Sequence, residues 1–144
     1  MKVQNYSNHR RYIPGFHFLL FFMGILALVG SIFFLIKSCI HETERIASVI
    51  TFLSALNFMM LYFYAREFAT KVQDRAIRAE ENLRYFALTG NLLDPRLTMP
   101  QIIALRFAPD LEFVGLANRA ITEKLNNDDI KKAIKDWKPD YHRA

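Results

Sequence analysis

The side chains best able to bind a metal or act as nucleophiles are spread along this sequence rather than grouped. The single cysteine is Cys39, and the four histidines occupy separate segments, at His9, His17, His41 and His142. Metal sites and nucleophile–base pairs need such groups at short, defined spacings. The five glycines are also scattered, which excludes a glycine-rich phosphate loop. We therefore expect no catalytic residue, metal site or cofactor, and predict that the protein is not an enzyme.

Two polar residues lie inside long apolar runs. His17 is near the start of the first run, and Asn57 is inside the second. Polar residues within a membrane are functional candidates by default. The alternative is a structural hydrogen bond between two helices, worth about 0.6 kcal/mol. We expect the two side chains to lie within reach of a hydrogen bond, directly or through a water.

Two membrane-spanning helices would position these residues. Residues 16–36 and 46–65 contain no Asp, Glu, Lys or Arg, and each run has about the 20 residues needed to cross a bilayer. The first run is too long for the apolar region of a cleaved signal peptide, and it lacks a small-residue cleavage pattern. We predict two retained spans, at about 14–36 and 46–65, joined as a helical hairpin.

Small residues should mediate the contact between the spans, because helices in lipid associate where their backbones can approach closely. One stripe is on the first span and another is on the second. The residues expected to meet are Gly24, Ala27 and Ser31 with Ala47, Thr51, Ser54 and Ala55.

Lysine and arginine are concentrated outside the loop between the spans, which contains only Lys37 and Arg45. Cytoplasmic flanks of membrane spans are enriched in these residues. Three precede the first span and five follow the second, namely Lys2, Arg10 and Arg11, then Arg66, Lys71, Arg75, Arg78 and Arg84. We therefore predict that both termini are cytoplasmic.

The second span continues into a charged helix, because residues 44–89 contain neither Gly nor Pro and Gly90 then provides a helix-ending signal. Beyond the span, apolar residues recur at spacings of four and three, as in a heptad. We call this row the alanine seam, and predict that it binds a partner: the C-terminal segment, another protein or a second copy. It consists of Ala65, Ala69, Val72, Ala76, Ala79, Leu83 and Phe86.

Three short helices are predicted after residue 90. Thr98 with Gln101 and Asn126 with Asp129 have the spacing of helix-starting caps, and residues 110–121 form an amphipathic helix between them. The predicted fold is an all-α membrane protein with a two-helix hairpin, a long cytoplasmic extension of the second helix and a small helical bundle. The domains expected are residues 1–12, 13–65, 66–90 and 91–144.

Charged residues near the bundle suggest two roles. We expect Asp74 with Arg75, or Arg78 with Arg106, to join the extension to the bundle in a buried polar network, and Glu80 to pair with Arg84 one helical turn away. A basic cluster could bind anionic lipid headgroups, each lysine contributing about 1 kcal/mol near a membrane surface. Alternatively, the cluster is only the solvated side of an amphipathic helix. Nucleic-acid binding is not expected, because no other feature of the sequence favours it. The cluster is Lys131, Lys132, Lys135 and Lys138.

Four segments of the sequence resemble an uncharacterised family of small bacterial two-span membrane proteins. They are residues 8–12 (NHRRY), 71–81 (KVQDRAIRAEE), 101–108 (QIIALRFA) and 130–137 (IKKAIKDW). The resemblance covers almost the whole chain. It implies a bacterial inner-membrane protein and carries no assigned activity, substrate or catalytic residue.

These features favour a non-enzymatic accessory or scaffold subunit of a larger bacterial inner-membrane complex. Other membrane-complex subunits, a second copy of the chain and membrane lipids are the expected partners. The alternative is a homo-oligomeric regulatory membrane adaptor with a cytoplasmic lipid- or protein-binding domain.

Overall fold

The computed structural model describes residues 4–8 and 13–140. A π-helical segment, Gly15–Leu20, leads into helix α1, Phe21–His41. Helix α2, Arg45–Thr89, has 45 residues and is unbroken, as the lack of Gly and Pro predicted.

Three short helices follow α2, and the described residues contain no strand. They are α3, Met99–Leu105; α4, Asp110–Thr122; and α5, Asn127–Ala133. The predicted all-α fold is therefore confirmed. The described chain divides into two compact units, residues 13–68 and residues 69–140 together with 4–8.

Helix α1 ends at a tight connection to α2. Glu42 and Glu44 both adopt left-handed backbone conformations, with φ of 53° and 52°. The Ser38 hydroxyl donates a hydrogen bond to the Thr43 carbonyl, and Arg45 pairs with Glu42 at 3.0 Å. These contacts within so short a turn hold the two long helices as a hairpin.

Small residues line the contact between α1 and α2. Gly24, Ser31 and Ser38, seven residues apart, are the buried residues of α1, and Ser48 and Ala55 repeat this spacing on α2. A Cβ atom at position 24 would lie 2.6 Å from the Met59 sulfur, so a side chain there would displace Met59.

The buried serines do not bond across the contact. The Ser31 hydroxyl donates to the Leu28 carbonyl at 2.7 Å, and the Ser48 hydroxyl to the Arg45 carbonyl at 2.9 Å. The hydroxyls of Ser31 and Ser48 are thus satisfied within their own helices, which leaves a smooth surface for close packing.

The predicted small-residue stripes were only partly correct. Gly24, Ser31 and Ala55 are in the contact, but Ala27, Ala47, Thr51 and Ser54 are exposed. The reason is that the contact repeats every seven residues and continues through Ser38 and Ser48. Small size alone does not identify that repeat.

The caps predicted for the C-terminal helices are present. Gln101 Oε1 accepts the Thr98 backbone N–H at 2.9 Å at the start of α3, and Asn126 Oδ1 accepts the Asp129 N–H at 2.9 Å at the start of α5. Helix α2 ends before Gly90, whose φ of +74° suits glycine.

The second unit has one apolar core, to which α2 contributes directly. Ile77 of α2 is 5% exposed, and the Tyr85 ring meets the Phe113 ring with centroids 5.9 Å apart. The Trp137 ring lies 4.9 Å from that of Phe107. The other large apolar residues buried there are Leu97, Ile102, Leu105, Leu116, Ile130 and Ile134. Burial of each such side chain contributes about 1.5–3 kcal/mol.

A leucine at position 24 should loosen the hairpin. We expect Gly24→Leu to lower the free energy of unfolding in detergent by about 1–3 kcal/mol, because the new side chain would collide with Met59. Gly30→Leu is the matched control, since no neighbouring atom lies within 4 Å of a Cβ at position 30. Equal stability of the two variants would contradict the observed contact.

Candidate functional site

All seven residues of the alanine seam are exposed. Val72 and Leu83 are each 68% exposed and Phe86 is 49% exposed, although these are large apolar side chains. The C-terminal helices pack instead against the face of α2 that carries Ile77, Glu81 and Tyr85. At 100° per residue that face is opposite the seam.

The bundle therefore does not cover the seam. Among the described residues, this excludes the C-terminal segment as the partner of the seam. This second face does not appear as a hydrophobic repeat in the sequence, because Glu81 interrupts it. A buried carboxylate between Ile77 and Tyr85 hides an apolar row from hydrophobic periodicity.

Charged side chains of opposite sign lie beside the seam. Lys71, Arg75 and Arg78 are exposed on one flank, and with Asp74, Val72 and Met99 they line an open groove of about 550 Å³. Glu80 is exposed on the other flank, directly after Ala79 of the seam. The seam is thus bordered by a basic flank and by an acidic residue.

An ion cluster connects α2 to the C-terminal helices at Arg84. Its guanidinium contacts Glu81 at 3.0 Å and Asp110 at 2.6 Å. It also donates to the Ala108 carbonyl at 2.7 Å and lies 4.3 Å above the Phe113 ring. The predicted partner Glu80 is replaced by Glu81, because Arg84 turns towards the core.

A second ion pair closes the same side of the unit. Arg106, 9% exposed, contacts Asp140 at 2.6 Å. Gln4 Oε1 accepts the Asp140 backbone N–H at 2.7 Å, so the start and end of the described chain meet there. Of the four residues predicted to join a buried network, Arg106 does so and Asp74 is half-buried, whereas Arg75 and Arg78 are exposed.

A cleft of about 390 Å³ lies between these groups. Its lining combines acidic, basic and apolar side chains, namely Gln73, Ala76, Ile77, Glu80, Glu81, Arg106, Lys138, Pro139 and Asp140. Burial raises the pKa of the Glu81 carboxyl, while the hydrogen bond from Arg84 and the charges of Lys138 and Arg106 oppose that rise. The charged side chains of the cleft mainly contact one another, an arrangement typical of a structural ion cluster.

The two intramembrane polar residues do not meet. His17 Nε2 lies 2.6 Å from Arg66 Nη1 at the opposite end of the hairpin from the loop, whereas Asn57 is exposed. Stacked rings of Phe16 and Tyr62, 4.7 Å apart, lie beside the His17–Arg66 contact. A direct hydrogen bond between His17 and Asn57 is therefore not formed. In the sequence, Arg66 indicates only the orientation of the spans.

The lysine cluster does not form a single face. Lys131 is half-buried, whereas Lys132, Lys135 and Lys138 are exposed. Lys138 lines the cleft, and Lys132 Nζ lies 5.9 Å from the centre of the Tyr6 ring. Lipid-headgroup binding by these residues stays a prediction.

In the described ranges, no three His, Cys, Asp or Glu side chains are grouped so that they could hold a metal. His9 and His142 lie outside those ranges. The clearest functional feature is thus a surface, the exposed seam with its charged flanks.

Comparison with family models matches residues 1–144 to a family of unknown function, DUF6526. The match agrees with the resemblance drawn from the motifs at residues 71–81 and 101–108. Comparisons with curated proteins and with solved structures gave no match.

Removal of the Arg106 charge should destabilise the C-terminal unit. We expect Arg106→Met to lower its free energy of unfolding by up to about 3 kcal/mol, because Asp140 would lose its ion-pair partner in a partly buried site. Fluorescence of the single tryptophan, Trp137, reports on this unit. Arg75→Met is the control, and a similar loss there would argue against the assignment.

The stability of the unit should fall as Glu81 ionises. Its folded pKa is above the ordinary value of 4.5, so the folded state holds the proton more tightly. The stabilising contribution is present below pH 4.5 and is lost as pH rises through the raised pKa. In Glu81→Gln that loss should be absent from pH-dependent unfolding curves. Glu80→Gln, at an exposed neighbour, should keep the wild-type pH dependence; identical curves for both variants would refute this account.

Proposed function

We propose a function for this chain, which belongs to the DUF6526 family of unknown function, from its exposed alanine seam and its two candidate spans. In this proposal the chain is a non-enzymatic accessory or scaffold subunit of a larger protein complex in the bacterial cytoplasmic membrane. The observation that carries the proposal is the row of exposed apolar residues along α2.

The hairpin supports the membrane location. Gly15–His41 and the first part of Arg45–Thr89 are long and apolar enough to span a bilayer, and only 11% and 17% of their most apolar windows are buried. A core helix of a soluble protein would be mostly buried, so this exposure favours lipid as the surrounding medium. Large aromatic side chains on the spans show the same exposure, since Phe52 is half-buried and Phe18, Phe22, Phe33 and Phe58 are exposed.

The distribution of Lys and Arg supports an orientation with both termini in the cytoplasm. The seam beyond Ala65 would then be on the cytoplasmic side of the membrane. The family resemblance supports a bacterial inner membrane. Lys132 and Lys135, both exposed, could add contacts with anionic lipid headgroups.

The seam supports a role in assembly rather than in catalysis. Val72, Leu83 and Phe86 are exposed at the spacing that packs against another helix. Alanines between them let a partner backbone approach closely. The acids and bases near the cleft bind mainly to one another, which is typical of groups that hold a fold together.

Glutamate substitutions in the seam test the proposal. The wild-type chain, extracted in gentle detergent, should migrate with other proteins well above its own 16.9 kDa. Val72→Glu and Leu83→Glu should reduce the associated fraction by about tenfold, because each places a charge in a desolvated contact. The measurement is native gel migration with identification of the co-purifying chains.

Leu111→Glu is the matched control, because Leu111 is 99% exposed on α4 and outside the seam. It should leave the association unchanged. Migration of the wild-type chain as a lone monomer would contradict the proposed function, as would equal assembly of all four proteins.

A further inference from the structure

The seam has the register of a two-stranded parallel coiled coil. Ala69, Ala76 and Leu83 occupy the a positions of a heptad, and the other four seam residues occupy the d positions. Arg75 precedes Ala76 and is therefore at g, while Glu80 follows Ala79 and is at e. Both side chains are exposed.

The membrane fixes the direction of any self-association. Copies inserted with the same topology have their α2 helices parallel, because each α2 crosses the bilayer in the same sense. In a parallel pair, a g residue of one helix faces the e residue five positions later on the other. Arg75 and Glu80 are five positions apart, so each Arg75 would face Glu80 of the second copy.

The rest of the flanks is compatible with this pairing. The neighbouring g and e pairs are Phe68 with Gln73 and Asn82 with Ala87, which carry no charge. No like charges would oppose each other across the seam in these three pairs. An antiparallel pair would instead set Arg75 against the basic flank of its partner.

We propose that the alanine seam binds a second copy of this chain, in parallel register, with two reciprocal Arg75–Glu80 ion pairs. This inference rests on the proposed function, because it names the partner that the seam takes in the assembly. The alanine-rich core buries little area, so the contact is weak for chains in solution. Confinement of both copies to one membrane raises their effective concentration and makes a weak contact sufficient.

Charge reversal tests the register. Arg75→Glu and Glu80→Arg should each weaken self-association by about tenfold, since each sets two like-charged pairs in opposition. The double variant should recover wild-type association. Two tagged chains, one with each single change, should pair with each other in preference to themselves when expressed in the same membrane.

Arg78→Glu is the control, because position 78 is exposed but outside the g and e positions. It should associate like the wild type. Failure of the double variant to recover, or the absence of preferential pairing between the two single variants, would overturn the proposed register.

Disulfide trapping in native membranes gives an independent readout. With Cys39 replaced by serine, Ala76→Cys should form cross-linked dimers, whereas Arg78→Cys should form at least about tenfold less, since coiled-coil a positions face each other across the axis. Absence of cross-linking at position 76 would overturn the proposed dimer.

The failure of this inference differs from the failure of the proposed function. If position 76 does not cross-link but Val72→Glu still releases other proteins, the seam binds a different subunit and the proposed function stands. If there is no self-association and Val72→Glu also releases nothing, both proposals fail.

Discussion

The structure depends on how apolar residues are divided around one long helix. Beyond residue 69, α2 carries one row packed against the bundle, through Ile77, Glu81 and Tyr85, and an exposed row through Val72, Ala76 and Leu83. The short helices α3, α4 and α5 are too small to surround α2, and they cover only the first row. A helix that is apolar on two opposite faces needs two partners, and the described chain supplies one.

Charged residues determine which face the bundle takes. Arg84 contacts Glu81, Asp110 and the Ala108 carbonyl at the same time, with the face containing Glu81 turned inwards. Burial of Glu81 costs free energy, as its raised pKa shows. The ion cluster therefore contributes less to stability than the apolar core, and its main effect is to fix orientation.

The sequence predicts the elements better than their contacts. The α2 helix, the Thr98–Gln101 capping box and the Asn126 cap follow from local rules, because their residues interact within one turn. The hydrophobic repeat also identified the seam. The repeat does not predict that the seam is exposed. Its exposure results from the packing of the bundle on the opposite face of α2, which has the Glu81 carboxylate at its centre.

The contacts that local sequence patterns do not predict share a physical cause. Arg84 bonds to Asp110 across 26 positions, and His17 contacts Arg66 across 49. Long arginine side chains can reach several partners, so helical spacing within one element does not decide among them. The choice depends on which helices approach, and in the hairpin that depends on the repeat of Gly24, Ser31 and Ser38. A repeat of small residues is ambiguous where alanine, serine and threonine also occur on neighbouring faces.

The composition of the seam explains why it can remain exposed on a helix that must also stay soluble. Alanine exposes little apolar area, so the row adds less risk of nonspecific aggregation than a row of leucines would. Two alanines, Ala76 and Ala79, separate Val72 from Leu83 along the seam, and Leu83 is followed directly by Phe86. Such a surface gains little binding free energy from nonspecific contacts. It gains most from a straight helix that packs along its whole length. A membrane holds helices in that way, because it aligns them and confines them to two dimensions.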